Sequence, residues 1–94
     1  MILTIDVGNT NITCGVFQGD EIAASFRITT KMPRTSDEYG MMLLNLLEQN
    51  DIHPTEIKDA IICSVVPNVM HSLRGGLVKY LSLIHISEPT RLGV

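Results

Sequence analysis

Short runs in which apolar and polar residues alternate occupy the first third of the chain and predict three β-strands. The first run, residues 2–5, is apolar and β-branched and closes at Asp6. A polar turn separates it from a second run at residues 12–17, and a Gly-Asp turn separates that run from a third at residues 22–28. Two such short turns predict an antiparallel meander.

The alternation also assigns side chains to faces, because successive residues of a strand point to opposite sides of a sheet. The residues expected to share one face within their strands are Ile12, Cys14 and Val16 in the second strand and Ile22, Ala24, Phe26 and Ile28 in the third.

After residue 34, apolar residues recur at the spacing of an α-helix. Thr35 followed by Glu38 is typical of a capping box, in which the two residues cap the start of a helix reciprocally. The helix is expected to end near Asn50, before a polar segment that contains Pro54. The apolar residues that recur three and four positions apart are Tyr39, Met42, Leu43, Leu46 and Leu47, and Met41 and Leu44 widen this stripe.

Residues 60–66 form a continuous apolar run that predicts a strand covered on both faces, as in a parallel pair. Pro67 then opens a second helix, whose buried stripe is Val69, Met70, Leu73 and Leu77. Gly75 and Gly76 are expected to weaken that helix. The predicted order βββαβα is an α/β arrangement of the ribonuclease-H-like type.

The last residues form a separate problem. Residues 81–91 match the in-frame translation of a common transposase sequencing adapter. We therefore expect one incomplete domain at residues 1–80 and a non-native tail at residues 81–94, excluded from the predicted fold. The alternative is a genuine fifth strand, in which Leu83, His85 and Ser87 alternate with Ile84 and Ile86.

Composition narrows the class of protein. With 94 residues and a net charge of −3, the chain is at most one domain and has no basic cluster for nucleic acid. No apolar run approaches the roughly 18 residues of a membrane span, and no secretory signal precedes the first strand. We expect a cytoplasmic protein without membrane association, in which Cys14 and Cys63 are buried reduced thiols.

The turn after the first strand carries the candidate chemistry. Gly8 lets a ligand approach the backbone, and the N–H groups of Asn9, Thr10 and Asn11 could converge on phosphate oxygens. Thr10 and Thr13 add hydroxyl donors. A plain hairpin with helpful turn residues is the alternative.

Asp6 precedes this turn and could hold Mg²⁺, directly or through water. An aspartyl-nucleophile phosphatase would need an acid at position 8, and an aspartic protease would need Thr or Ser at position 7; Gly8 and Val7 exclude both. The three histidines are too scattered to predict a zinc site. Arg34 and Lys31 could reach an anionic ligand, although such residues are more often solvated.

Three segments in order resemble the type III pantothenate kinases. They are residues 6–15 (DVGNTNITCG), residues 34–40 (RTSDEYG) and residues 61–67 (IICSVVP). The resemblance implies the acetate and sugar kinase, Hsp70 and actin fold, in which ATP lies between two ribonuclease-H-like halves. It also implies ATP-dependent phosphorylation of pantothenate to 4'-phosphopantothenate, the first step of coenzyme A biosynthesis, by a cytoplasmic homodimer that uses Mg²⁺ and a monovalent cation, K⁺ or NH₄⁺.

By this resemblance the first turn is an ATP-phosphate loop, with Asp6 assisting the metal. Its residues are Asp6, Val7, Gly8, Asn9, Thr10, Asn11, Ile12 and Thr13. The family's catalytic aspartate, pantothenate contacts, potassium site and second phosphate loop would all follow Tyr80. We therefore expect no catalytic residue in this chain and no kinase activity from it.

Three other interpretations stay open. The chain could belong to another ATPase or sugar kinase of the superfamily, although the second and third segments argue against this. It could be a non-catalytic accessory factor linked to transcriptional control, or a sequencing product without function.

Overall fold

A computed structural model describes residues 1–29, 32–64 and 66–88. The described residues form one five-stranded sheet, two α-helices and one short 3₁₀ turn. In chain order they are β1 (Ile2–Val7), β2 (Asn11–Gln18), β3 (Glu21–Thr29), α1 (Ser36–Gln49), the 3₁₀ turn (Pro54–Glu56), β4 (Asp59–Ser64), α2 (Pro67–Leu81) and β5 (His85–Ser87).

The sheet has the strand order β3-β2-β1-β4-β5. β1 and β3 both pair with β2 in antiparallel register, which confirms the meander. β4 pairs with β1 in parallel, in the register Asp6 opposite Cys63, after the crossover through α1. This is the predicted βββαβα order with one further parallel strand, β5, beside β4.

Both helices cover one face of the sheet. On the three central strands, the residues of one alternation are buried almost completely and join the buried helix residues in a single cluster. The strand members of this cluster are Leu3, Ile5, Val7, Ile12, Cys14, Val16, Ala24, Ile28, Ala60 and Ile62. The helix members are Tyr39, Leu43, Leu47, Leu73, Leu77 and Leu81.

The opposite face carries no helix within the described part of the chain, and we call it the helix-free face. Its members on the central strands include Thr4, Asp6, Thr13, Ile61 and Cys63, all exposed or half-buried. Within the described residues β4 is therefore covered on one face and not on both as predicted, whereas its predicted parallel pairing is confirmed. The apolar composition of β4 indicates a central position in the sheet, but it does not indicate which elements cover each face.

A β-bulge places Ile22 on the face of the sheet opposite to the one predicted. The β2–β3 register shifts between Val16 and Phe17, so that Val16 lies opposite Ala24 whereas Phe17 lies opposite Ile22. The extra residue in β3 reverses the alternation beyond that point. Ile22 consequently lies on the helix-free face with Phe17, and its side chain is 63% exposed.

The start of α1 confirms the capping box. The Glu38 N–H donates to Thr35 Oγ1 at 3.1 Å, and the Thr35 N–H donates to Glu38 Oε1 at 2.8 Å. The helix ends at Gln49 with Asn50 as its C-cap, as predicted. Met41 is the exception in the apolar stripe, because it is 47% exposed and does not face the core.

The two helices meet at a close backbone approach. A Cβ on Gly76 of α2 would lie 2.7 Å from the carbonyl oxygen of Ser36 and 3.0 Å from the backbone nitrogen of Gly40, both in α1. Gly76 therefore permits the contact between the helices, beyond its unfavourable helix propensity.

The predicted tail is partly included in this fold. α2 extends to Leu81, Ser82 closes it in the left-handed conformation (φ 55°), and the buried Leu83 leads into β5. The alternation in this segment thus forms the strand that was named as the alternative. The origin of this segment as adapter sequence stays a prediction, because the packing of a segment does not depend on the source of its DNA.

Residues 89–94 lie outside the described residues, as do Thr30, Lys31 and Val65.

Candidate phosphate-binding hairpin

The candidate loop is the hairpin that joins β1 to β2. Val7 and Ile12 form its last strand pair, and the Gly8 N–H donates to the Asn11 carbonyl oxygen at 2.9 Å. Asn9 and Thr10 occupy the exposed tip. Within the turn, the Asn11 side-chain amide donates to Thr10 Oγ1 at 3.3 Å.

The local structure does not itself require a glycine at position 8. No residue of this turn has positive φ; among the described residues, the glycine with positive φ is Gly19 (φ 64°), in the next turn. A Cβ on Gly8 would meet the Asn11 carbonyl oxygen at 3.4 Å, which is an ordinary van der Waals contact. What Gly8 does provide is a backbone that a ligand can approach without a side chain in the way.

The eight predicted loop residues divide into two groups. Val7 and Ile12 are buried in the core, so only their backbone groups could take part in binding. The remaining six are exposed or half-buried at the hairpin or on the helix-free face: Asp6, Gly8, Asn9, Thr10, Asn11 and Thr13.

Asp6 lies on the helix-free face, one residue before the end of β1, and it is exposed. Strand register places Thr13 opposite it on β2 and Cys63 beside it on β4. Arg27 of β3 lies opposite Thr13. The structure thus aligns Arg27, Thr13, Asp6 and Cys63 in one row across four strands.

Sequence reasoning missed Arg27 and Cys63 as neighbours of the candidate site. Alternation alone showed that Arg27 shares a face with Ser25, but only the strand pairing shows that this face is the one that carries Asp6. Two strand spacings, about 9–10 Å, separate the backbones of Arg27 and Asp6. A positively charged side chain can therefore reach toward a ligand bound over Thr13.

β1, β3 and β4 run in the same direction and end on one side of the sheet, at Val7, Thr29 and Ser64, and we call this side the carboxyl end of the sheet. The hairpin and the start of α2 both lie there. Ligands of open α/β sheets bind in the crevice outside the carboxyl ends of the strands, at the point where the strand order reverses. Ser64 itself serves the local turn: its hydroxyl donates to the Val66 carbonyl at 2.9 Å and accepts from the Val66 N–H at 2.8 Å.

Asp6 is a candidate ligand for a magnesium ion that is shared with phosphate. In the described part of the chain, no group of three or more His, Cys, Asp or Glu side chains lies close enough to enclose a metal. Mg²⁺ commonly binds through one or two carboxylates and takes its other ligands from phosphate oxygens and water. A single exposed carboxylate beside a phosphate-accessible turn matches that pattern.

The described helices are too short or too polar for a membrane span. The sheet order, the two helices on one face and the acid-bearing first hairpin define the N-terminal half of an actin-like ATPase fold. The family model described as type III pantothenate kinase matches residues 2–94. The chain belongs to this family.

Curated relatives agree with this assignment. The chain is 72% identical over 83 residues to a type III pantothenate kinase of Agathobacter rectalis, and this match covers 88% of the chain and 32% of the relative. Relatives of the same name from Legionella pneumophila and Bifidobacterium longum are 53% and 51% identical, with the same coverage. The chain therefore spans about a third of the length of these relatives.

Proposed function

We propose that this chain is the ATP-phosphate-binding part of an enzyme that phosphorylates pantothenate from ATP, the first step of coenzyme A biosynthesis. Family membership supports the reaction. One observation supports a role for the hairpin in phosphate binding. Gly8, which the local fold does not require, lies beside an exposed Asp6 at the carboxyl end of the sheet.

In this proposal the hairpin positions the phosphates and neutralises their charge, which is most of what phosphoryl transfer needs from a protein. The N–H groups of Asn9, Thr10 and Asn11 and the hydroxyls of Thr10 and Thr13 bind phosphate oxygens. Asp6 holds Mg²⁺, directly or through water. When bound, the metal offsets the negative charge that the phosphates carry.

The remaining parts of the proposed enzyme belong to the two thirds of the relatives' length that this chain does not span. They are the catalytic base, the pantothenate contacts, the site for K⁺ or NH₄⁺ and the second phosphate loop. We also propose a cytoplasmic homodimer for the whole enzyme, as the resemblance implies.

Replacing Asp6 in a protein completed to the length of its relatives tests the proposal. Asp6→Asn should lower kcat about 10–100-fold and raise the Mg²⁺ concentration needed for half-maximal activity, as loss of a group that positions a metal commonly does. Asp20→Asn is the matched control, because Asp20 is an exposed acid in the other turn, between β2 and β3. Phosphopantothenate formation would be followed in both variants.

Equal turnover and equal Mg²⁺ dependence in Asp6→Asn would remove Asp6 from the mechanism. No phosphopantothenate from the completed parent protein would instead favour the non-catalytic accessory role.

A further inference from the structure

A second site lies on the helix-covered side of the carboxyl end of the sheet. A cavity of about 290 Å³ opens between the segment that leads into α1 and the first turn of α2. Arg34 and Tyr39 line it from the α1 side, and Asn68 and Ser72 line it from α2. Pro33, Val66 and Val69 supply apolar wall.

Arg34 brings a positive charge to this cavity without a carboxylate to balance it. Its side chain is half-buried, and no Asp or Glu within the described ranges forms a salt bridge with it. One terminal nitrogen donates to the Met42 thioether at 2.9 Å, and the other donates to Thr29 Oγ1 at 3.3 Å. A thioether is a weak acceptor. The Nε of Arg34 is shielded from water and has no hydrogen-bond partner in the described part of the chain.

Tyr39 brings an unsatisfied donor to the same place. The residue is 1% exposed, and its hydroxyl has no hydrogen-bond partner among the residues that the structure describes. Burial raises the pKa of Tyr39, while the positive charge of Arg34 opposes that rise. The phenol is thus a neutral O–H donor at ordinary pH. A buried hydroxyl without a partner has a higher free energy than a hydrated one, so such groups are rare in folded proteins.

The start of α2 adds a third attraction for an anion. Val66, the N-cap, makes no side-chain hydrogen bond to the helix, and no acidic residue lies in the first turn. The first N–H groups of a helix carry a partial positive charge. In α2, Pro67 has no N–H and the Val69 N–H donates to the Val66 carbonyl oxygen at 3.1 Å, so the N–H that the first turn can offer to an anion is that of Asn68.

We propose that this cavity binds a small organic carboxylate. The guanidinium of Arg34 exchanges the Met42 thioether for the carboxylate, the Tyr39 hydroxyl donates to the same group, and the first turn of α2 faces it. One guanidinium matches the single charge of a carboxylate, whereas a phosphate dianion would lack a second cationic partner among the described lining residues. The apolar wall receives a short aliphatic body. This inference does not rest on the proposed kinase activity.

Titration of the ¹⁵N-labelled chain with sodium propionate at constant ionic strength tests the site by NMR. The Arg34 side-chain Nε resonance, assigned by its loss in Arg34→Lys, and the backbone amides of Asn68 and Val69 should shift and saturate. Propionamide, which is the neutral isostere, should cause no saturable shift, and inorganic phosphate should bind more weakly than propionate.

Tyr39→Phe removes one atom and should weaken propionate binding about tenfold, because a hydrogen bond to a charged group is lost. Tyr80→Phe is the matched control and should bind propionate as the parent does, since the Tyr80 hydroxyl instead bonds Asp37 at 2.7 Å. Amide spectra report whether each variant is folded. The proposal is overturned if the Arg34 resonance does not saturate, if propionamide or phosphate binds as tightly as propionate, or if Tyr39→Phe binds with the parent's affinity.

Discussion

Cys14 and Cys63 show how strongly the two faces of the sheet differ for a single residue type. Cys14 is buried under the helices, and this burial raises the pKa of its thiol to about 12. Cys63 is half-buried on the helix-free face, beside Asp6. Because the thiolate is the reactive form of cysteine, the two residues should differ in reactivity.

Thiol labelling checks this difference. At about pH 8, a disulfide reagent should modify the half-buried Cys63 in the folded chain and leave Cys14 intact until denaturant is added. Cys63→Ser should abolish the fast reaction, and Cys14→Ala should preserve it. Rapid modification of both thiols in the folded parent would contradict the burial of Cys14.

The raised pKa of Cys14 also predicts how stability depends on pH. Between the ordinary thiol pKa of 9.0 and about 12, the unfolded chain releases the thiol proton while the folded chain retains it. The free energy of unfolding should therefore fall as pH rises through this window, and Cys14 should add no pH dependence below it.

Tyr39, Lys79 and Tyr80 also have raised pKa values. Their titration therefore also lowers the free energy of unfolding as the pH rises in the alkaline range. The measurement is accordingly the difference in slope between the parent and Cys14→Ala in denaturant unfolding from pH 8 to 11. Parallel curves would show that Cys14 titrates alike in both states.

At the scale of elements, the two helices depend on different kinds of contact. The start of α1 is stabilised by its own capping box, which is local in sequence. The packing of α1 on α2 depends on the backbone approach at Gly76, between residues far apart in the chain.

Removing the cap should destabilise the fold modestly. Thr35→Ala deletes the hydroxyl that accepts the Glu38 N–H, and it should lower the free energy of unfolding by about 1 kcal/mol. Thr35→Ser retains the acceptor and should recover most of the loss. Urea unfolding of the three proteins gives the comparison, and equal midpoints would show that the cap contributes nothing.

The helix contact gives a sharper contrast between neighbouring glycines. Gly76→Ala places a methyl group against backbone atoms that cannot rotate away, so we expect a loss of about 1–3 kcal/mol. Gly75→Ala meets Ser36 Oγ, which can rotate away, and Ser36 Cβ at 3.2 Å, which a shift of a few tenths of an ångström relieves. Alanine also favours the helix by about 1 kcal/mol. The stability of Gly75→Ala should stay near the parent value. A Gly76→Ala variant as stable as Gly75→Ala would refute the close approach.

For the whole molecule, the helix-free face is the main exposed apolar surface that the sheet presents. Ile2 and Ile22 on it are 39% and 63% exposed, and Phe17 and Ile61 are half-buried. The relatives are about three times longer than the chain. Apolar surface of this kind promotes association when nothing covers it.

We expect the isolated chain to self-associate through this face. Ile22→Thr should reduce self-association measured by sedimentation velocity, with little change in thermal stability. Met32→Thr is the control, because Met32 is 66% exposed but lies outside the sheet. Equal self-association of the two variants would show that the helix-free face is not the surface through which the chain associates.

ATP binding by the chain alone is a second expectation at this scale. One hairpin can contact the phosphates from one side only, so titration calorimetry with Mg-ATP should detect weak binding or none. Micromolar affinity for the 94-residue chain would disprove this expectation.

Local chemistry allowed much of the fold and of the candidate loop to be predicted from the sequence. Thr35 and Glu38 lie three residues apart, Pro67 suits a first helical position, and the strands of the meander are joined by short turns. Neighbouring residues alone determine such features, which therefore survive into the folded chain. The residues of the first hairpin were found for the same reason.

Only the tertiary structure decided which distant residues became neighbours. The bulge that turns Ile22 outward, the backbone contact at Gly76 and the row from Arg27 to Cys63 each depend on pairing between separate elements. The same is true of Arg34 and Tyr39, which share a cavity only because α2 begins beside them. Sequence periodicity determines which side of an element is apolar, whereas register and packing determine what that side meets.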